Sequence, residues 1–191
     1  MLKKMLAMTA ALLLALGCAA AEDTADATTE APELDPNAYQ TAEAQEGVEA
    51  NTVSLSYQDR VTVGLYEEET EDGAVGTFSL RFDNPSVSGV ALTLAIRMPD
   101  ETVLVQSGLV PVGYAIRELP VSAEACALLA EAERDEDGLI DAEFYLRYYD
   151  PETGARANVF TVIPVKITMP ETDAEPTDAP AAPSPEEAPA N

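Results

Sequence analysis

The chain of 191 residues has 35 acidic and ten basic residues, a net charge of −25, and no histidine. A charge of this sign repels nucleic acid and anionic lipid headgroups, so no nucleic-acid partner is expected. The absence of histidine excludes Ser-His-Asp and Cys-His catalytic sites and zinc sites with histidine ligands.

Residues 1–17 have the layout of a secretory signal peptide. Lys3 and Lys4 precede an apolar run over residues 5–16. That run is too short to cross a bilayer core of about 30 Å as a helix, and a positive start before a short apolar run is typical of export signals. We therefore expect an extracytoplasmic protein.

Two processing routes remain open at the end of this signal. Gly17 stands directly before Cys18, an arrangement that resembles the lipobox of bacterial lipoproteins. The resemblance implies that Cys18 is lipidated and becomes the first mature residue, anchored to the outer face of the cell membrane. The alternative is plain secretion, because the alanines at residues 19–21 also form a small-residue cleavage site.

The rest of the chain divides into one domain between two acidic tails. Residues 18–51 contain nine acids and no base, and residues 170–191 contain six acids and six prolines. Neither stretch has hydrophobic periodicity, so both are predicted to be disordered, the first as a tether and the second as a proline-rich tail. Residues 52–169, with twenty acids and eight bases, are predicted to form the folded domain.

Apolar and polar residues alternate along much of this domain, which predicts half-buried β-strands. The runs cover residues 53–57, 61–66, 78–82, 92–96, 140–148 and 159–167, with shorter candidates at 102–106 and 114–119. Turn-forming residues such as Asp72-Gly73 separate them. Seven or eight short strands predict an all-β fold, an immunoglobulin-like antiparallel β-sandwich.

One short helix is predicted before the penultimate strand. Residues 122–133 are rich in alanine, Ser122 is a good N-cap, and Glu124 lies in the first turn, where the helix dipole favours an acid. The predicted apolar stripe consists of Cys126, Leu129 and Ala130. Without a histidine to activate it, Cys126 is interpreted as a buried hydrophobic residue.

Three motifs stand out between residues 82 and 169. They are the turn at Asn84-Pro85, the run DETVLVQSGLVPVG at residues 100–113, and the sequence YDPETG at residues 149–154. Together they resemble small exported or lipid-anchored β-sandwich proteins of Gram-positive gut bacteria. The resemblance covers about half of the chain and implies a β-sandwich and export, but no particular activity. The predicted helix and residues 131–138 replace a short turn of that group.

Acids alternate through the segment after the predicted helix, as in part of an EF-hand calcium loop. Position 12 of that loop, which requires a bidentate glutamate, is Phe144, and the residues that follow alternate like a strand. A metal site and an acidic helix-to-strand turn are the alternatives, and the pattern favours the turn. The candidate metal ligands are Glu133, Asp135, Asp137 and Asp141.

The predicted strand over residues 140–148 carries an aromatic and basic face. Tyr148 alternates with the core residues, whereas Tyr145, Arg147 and Tyr149 lie on the opposite face. Two exposed aromatic side chains beside an arginine indicate a binding surface. The alternative is ordinary cross-strand packing.

These features predict a non-catalytic interaction or accessory module that faces the envelope. We expect a monomer without a cofactor, attached to the membrane through its N-terminal lipid, with an envelope protein as partner. The first alternative is a calcium-responsive surface protein of low affinity. The second is a hydrolase with paired carboxylates, although the chain has no tryptophan for the aromatic walls of a glycosidase cleft.

Overall fold

Nine β-strands and one helix follow one another along residues 31–170, the part of the chain that the computed structural model describes. The all-β class and the short helix before the penultimate strand are confirmed. The predicted signal peptide, Cys18 and almost all of the predicted C-terminal tail lie outside the described residues. In chain order the elements are β1 (Tyr39–Gln40), β2 (Ser56–Tyr57), β3 (Arg60–Leu65), β4 (Ala74–Asn84), β5 (Ala91–Arg97), β6 (Val103–Gln106), β7 (Tyr114–Ser122), α1 (Ala123–Glu131), β8 (Ile140–Tyr149) and β9 (Arg156–Thr168).

The strands form one curled, sandwich-like sheet in the order β1-β7-β4-β3-β9-β8-β5-β6, with β2 paired to β4. Among the strand pairings of residues 31–170, only that of β3 with β9 is parallel, with Arg60 opposite Lys166. The predicted antiparallel arrangement is therefore wrong at this seam. Alternation could not reveal it, because a half-buried strand has the same period of two whichever way its neighbour runs.

The core lies between the two halves of the curled sheet. Phe82 of β4 and Phe144 of β8 are fully buried, and their rings meet edge to face at 6.1 Å between centroids. Burying each such side chain contributes about 1.5–3 kcal/mol. The alternating residues of β4 and β8 thus supply the contact that holds the halves together, as the sequence pattern predicts.

Helix α1 begins where β7 ends, with no residue between them. The Ser122 hydroxyl accepts the backbone N–H of Ala125 at 3.1 Å, which confirms the predicted N-cap. Ala125 and Leu129 are buried, whereas Ala130 is exposed, so the predicted apolar stripe is wrong at that position. Helix α1 continues directly from β7. The direction of β7 therefore determines which face of the helix meets the core more strongly than the weak apolar stripe of the helix does.

Residues 31–51 pack against the sandwich, whereas the sequence predicted a disordered tether over residues 18–51. Leu34 forms a parallel bridge with Leu109, and β1 pairs with the start of β7. These attachments use backbone hydrogen bonds more than apolar burial. Amino-acid composition does not predict these backbone hydrogen bonds, because it indicates only how much apolar surface a segment can bury.

A buried carboxylate reinforces this attachment. Asp35 is 3% exposed, and its two oxygens accept the backbone N–H groups of Asn37 and Gly108, each at 2.7 Å. A buried charged group is costly unless it is hydrogen-bonded. The carboxylate therefore fixes the N-terminal segment on the run that follows β6.

Two glycines allow the N-terminal segment to approach closely. A Cβ atom at Gly108 would lie 2.7 Å from a backbone carbonyl oxygen of the segment, and one at Gly113 would overlap the carbonyl oxygen of Ala42. The Gly113 carbonyl also accepts the backbone N–H groups of Thr41 and Ala42, at 2.8 and 3.1 Å. Both glycines belong to the motif at residues 100–113, which is therefore an attachment site for the N-terminal segment.

Replacing Gly113 with alanine tests this attachment. Gly113 has φ +80° and Gly138 has φ +76°, but apart from its two chain neighbours no residue of 31–170 has a heavy atom within 4 Å of a Cβ at Gly138. Gly138→Ala should cost about 1–2 kcal/mol of unfolding free energy through backbone strain. Gly113→Ala should cost about 1–3 kcal/mol more, through overlap with fixed backbone. Urea unfolding measures both values, and equal losses would contradict the attachment.

Candidate functional site

The candidate metal ligands lie on or near the turn between α1 and β8. Asp135 Oδ1 accepts the backbone N–H groups of Asp137 and Leu139, at 3.0 and 2.9 Å. Its Oδ2 accepts Lys166 Nζ at 2.8 Å, and the same ammonium lies 2.7 Å from Asp141 Oδ1. Lys166 thus joins two of the four predicted ligands and neutralises part of their charge.

A calcium ion at these acids would have to displace the lysine. Glu133 borders the same shallow cavity as Asp135 and Asp141, whereas Asp137 is outside its lining. Within residues 31–170, no three or more acidic, cysteine or histidine side chains are grouped so that they could hold a metal ion. Lys166 also stands between the carboxylates of Asp135 and Asp141, where a carboxylate hydrolase would require its substrate.

Lys166 and Asp135 change each other's pKa. The hydrogen bond from Lys166 holds the pKa of the Asp135 carboxyl below its usual value, and the backbone N–H of Leu139 acts in the same direction. In turn, hydrogen bonds to Asp135 and Asp141 raise the pKa of Lys166 above its usual value. The turn is therefore held by charge-assisted bonds at neutral pH.

Acid should weaken this turn. Because the pKa of Asp135 is lower in the folded protein than in the unfolded chain, its stabilising contribution is present above about pH 4 and is lost as pH falls through the folded value. Asp135→Asn should lower Tm at pH 7, and its difference from the unmodified chain should shrink between about pH 4 and pH 2. Asp72→Asn, in an exposed turn, is the control. A difference that stays constant with pH would contradict this assignment.

A second site, which we call the trough, lies on the outer face of β5 and β8. Thr93 and Ala95 of β5 are small and buried, and form its floor. Across the strand pair, Thr93 lies opposite Arg147 and Ala95 opposite Tyr145. Phe160 of β9 lies opposite Arg147 and extends this wall. The larger side chains of β8 and β9 therefore rise above a low strip along β5.

Strand β6 and the turn before it complete the trough. Val103 and Gln106 line the other side, and Arg97 and Glu101 line the end. The cavity has a volume of about 290 Å³. Val103 is 53% exposed and Phe160 60% exposed, so two apolar side chains of the lining face solvent.

Tyr145 is the centre of the trough. Its ring lies 5.2 Å from that of Phe160, tilted by 36°. The guanidinium carbon of Arg97 lies 4.5 Å from the Tyr145 ring centre, and that of Arg147 lies 5.4 Å from it. Because both cations contact the same ring, they lie within about 10 Å of each other.

The Arg97 guanidinium is held mainly by Glu143. Its Nε and Nη2 contact Glu143 Oε2 at 3.0 and 2.9 Å. Its Nη1 lies 4.0 Å from a carboxylate oxygen of Glu101, which is longer than a hydrogen bond. The arginine is therefore held in place by Glu143 while Nη1 remains close to the trough and its exposed acid.

Sequence reasoning identified part of this site. Tyr145 and Arg147 lie in the trough, but Tyr149 is 3% exposed, so its predicted exposure is wrong. The β8–β9 pairing shifts register between Arg147 and Tyr149, and the alternation of exposure ends there, because Tyr148 and Tyr149 are both buried. Arg97 and Phe160 were missed because they come from other strands, and only the register brings them beside Tyr145.

Comparison with known proteins gives no match to a family model, a curated protein or a solved structure. The resemblance to exported proteins of gut bacteria therefore stays a prediction. Within residues 31–170, no helix has both the length and the apolar composition needed to cross a bilayer.

Proposed function

We propose that this protein is a membrane-tethered, envelope-facing module without catalytic activity that binds a protein partner through the trough. Two guanidinium groups against one tyrosine, beside exposed Phe160, are the observation that supports this role. Arginine and aromatic side chains are the residue types in which protein interfaces concentrate their binding energy.

The charge of the protein makes the trough distinctive. Residues 52–169 have twenty acids and eight bases. Two of those bases, Arg97 and Arg147, line one small cavity, where Glu101 of the lining and Glu143, bonded to Arg97, balance their charge. Single exposed apolar residues need no explanation, but Val103, Tyr145 and Phe160 line the same cavity. The trough is therefore less acidic and more apolar than the surface around it.

Tethering would hold this module close to its membrane. Residues 17 and 18, Gly-Cys, support lipidation, and the packed N-terminal segment is already in place at Ala31. The twelve residues from 19 to 30 can span at most about 40 Å even when fully extended. A partner would therefore be met within a short distance of the membrane surface.

Cys18→Ser tests the anchor. Without the thiol that receives the lipid, the protein should leave the membrane fraction and appear in the medium, or remain unprocessed. Fractionation and immunoblotting of cells that express each form measure this change, and Cys126→Ser is the matched control. Unchanged membrane retention of Cys18→Ser would contradict lipid tethering.

Photo-crosslinking in the source cell tests the binding role. A crosslinking amino acid in place of Phe160 should form one discrete adduct, which Arg147→Gln should reduce at least threefold. The same amino acid in place of Val159 is the control, since Val159 is equally exposed but outside the trough lining. Identical adducts from both positions, or none from Phe160, would contradict a partner at the trough.

A further inference from the structure

The edge of β9 beside the trough indicates how the partner attaches, an inference that rests on the proposed binding role. We call residues 160–164 of β9 the open edge. We propose that the partner contributes an extended, uncharged segment, which pairs with the open edge as an added strand of the sheet. Phe160 belongs both to the open edge and to the trough wall, so the added strand continues the surface of the trough beyond β9.

Every second residue of the open edge directs its backbone groups away from β8. The pairing of β9 with β8 is regular over residues 160–167, so the N–H and carbonyl groups alternate between the two sides of β9 without interruption. The Lys166 N–H donates to the carbonyl oxygen of Asp59, just before β3, at 2.8 Å. Phe160, Val162 and Pro164 lie at even spacing from Lys166, so their backbone groups point to the same side.

No strand of residues 31–170 covers these groups. Pairing of β3 with β9 is confined to residues 166–168 of β9, and the chain just before β3 pairs with β4 as β2. Within the same part of the chain, the backbone N–H groups of Phe160 and Val162 make no hydrogen bond on this side. Phe160 is 60% exposed, and Pro164, which has no N–H, is also exposed. An extended segment can therefore bond to two N–H groups and three carbonyl oxygens.

The open edge lacks most of the protection that sheet edges usually have. Charges, prolines and bulges normally prevent another chain from pairing with an edge strand. The outer edge of β7, beyond its short pairing with β1, has Arg117, Glu118 and Pro120, and β6 shifts register against β5. The open edge has only Pro164, near its end.

The composition of β9 selects an uncharged ligand. Residues 157–165, ANVFTVIPV, have no charge, although the domain has twenty acids and eight bases. A charged side chain of an added strand would lose water beside these residues without gaining a counter-charge. Uncharged β-branched or aromatic residues would instead pack against Phe160 and Val162 as cross-strand neighbours.

The chain's own residues are poor candidates for the added strand. Residues 170–191 contain six acids and six prolines, and proline interrupts a strand ladder. A second copy paired antiparallel about Val162 would place Phe160 opposite Pro164, which has no N–H to donate. Two copies would also repel each other through their negative charge. A segment of a different protein meets neither obstacle.

Val159 lies outside the open edge. It precedes the regular register, which begins at Phe160, and alternation places its side chain on the opposite face. It therefore remains the control position for the crosslink at Phe160.

N-methylated peptides test strand addition to the full chain carrying Cys18→Ser. The probe is a fluorescein-labelled, capped peptide, Ser-Val-Thr-Val-Thr-Ser, measured by fluorescence anisotropy. One matched peptide is N-methylated at both valines and the other at both threonines. Because alternate N–H groups of a strand point to opposite sides, only one of these pairs faces β9. We expect one methylated peptide to bind at least tenfold more weakly than the probe and the other less than threefold more weakly.

Three results would overturn the proposal at this stage. Equal losses from the two methylated peptides would exclude a strand ladder, and absence of binding by the probe would exclude the open edge as its site. Peptides with glutamate or lysine at both threonines should bind at least threefold more weakly than the probe, so equal or tighter binding by either would exclude the uncharged ligand.

Two variants of one residue locate the binding. Val162→Pro removes an N–H group that points away from β8 and should weaken binding of the probe at least fivefold. Val162→Thr keeps that N–H group and should leave the affinity within twofold. Thermal unfolding checks that both variants fold, and the methylated peptides decide the question if Val162→Pro does not. Equal affinity of the two folded variants would overturn the site.

Two other occupants are distinguishable. If deletion of residues 171–191 raises the affinity for the probe tenfold, the occupant is the chain's own C-terminal segment. If the chain self-associates in sedimentation and Val162→Pro abolishes this, the occupant is a second copy. Either result overturns the partner segment. In cells, a crosslinked adduct at Phe160 that Val162→Pro leaves unchanged would remove only strand addition, whereas absence of that adduct would remove the binding role itself.

Discussion

The side-chain amide of Asn84 joins the two halves of the sandwich at the end of β4. This residue ends β4 and is fully buried, and its Nδ2 donates to the carbonyl oxygens of Val90 and Val110 at 2.9 and 3.1 Å. The backbone carbonyl of Asn84 accepts the backbone N–H of Gly113 at 2.8 Å. The amide thereby ties the loop entering β5, in one half, to the segment entering β7, in the other. The Val90 carbonyl also accepts the Ser88 hydroxyl at 3.3 Å and the Val110 carbonyl the Leu92 N–H at 3.2 Å, so each bond from the amide adds about 0.5–1.5 kcal/mol.

The motifs of the sequence serve mainly to hold the N-terminal segment. Gly108 and Gly113 admit it closely, and the Gly154 carbonyl accepts the backbone N–H of Ala31 at 2.9 Å. Gly89 acts similarly, because a Cβ there would overlap a backbone carbonyl of the same segment. These glycines therefore explain part of the motif pattern through close backbone contact. The motif at residues 100–113 also supplies one side of the trough, whereas Tyr145, Arg147 and Phe160 lie outside the motifs.

The sequence predicts strands well because alternation reflects burial on one face, as in β4 and β8. It does not predict the parallel pairing of β3 with β9, because apolar and polar residues alternate in the same way whether neighbouring strands are parallel or antiparallel. Tyr145 and Arg147 were identified because they alternate on one strand. Arg97 and Phe160 were not, because their place beside Tyr145 depends on pairing between strands far apart in sequence.

The seam between β3 and β9 also governs when the protein can fold. Arg60 and Lys166 pair across it, about a hundred residues apart. At a synthesis rate of about 5–20 residues per second, β3 emerges roughly 5–20 s before the strand that closes it. Contacts between such distant segments also form slowly, because the intervening chain must first be ordered. The nascent chain therefore passes through a long interval in which its first strands are made but its sheet is open, with the apolar faces of those strands exposed.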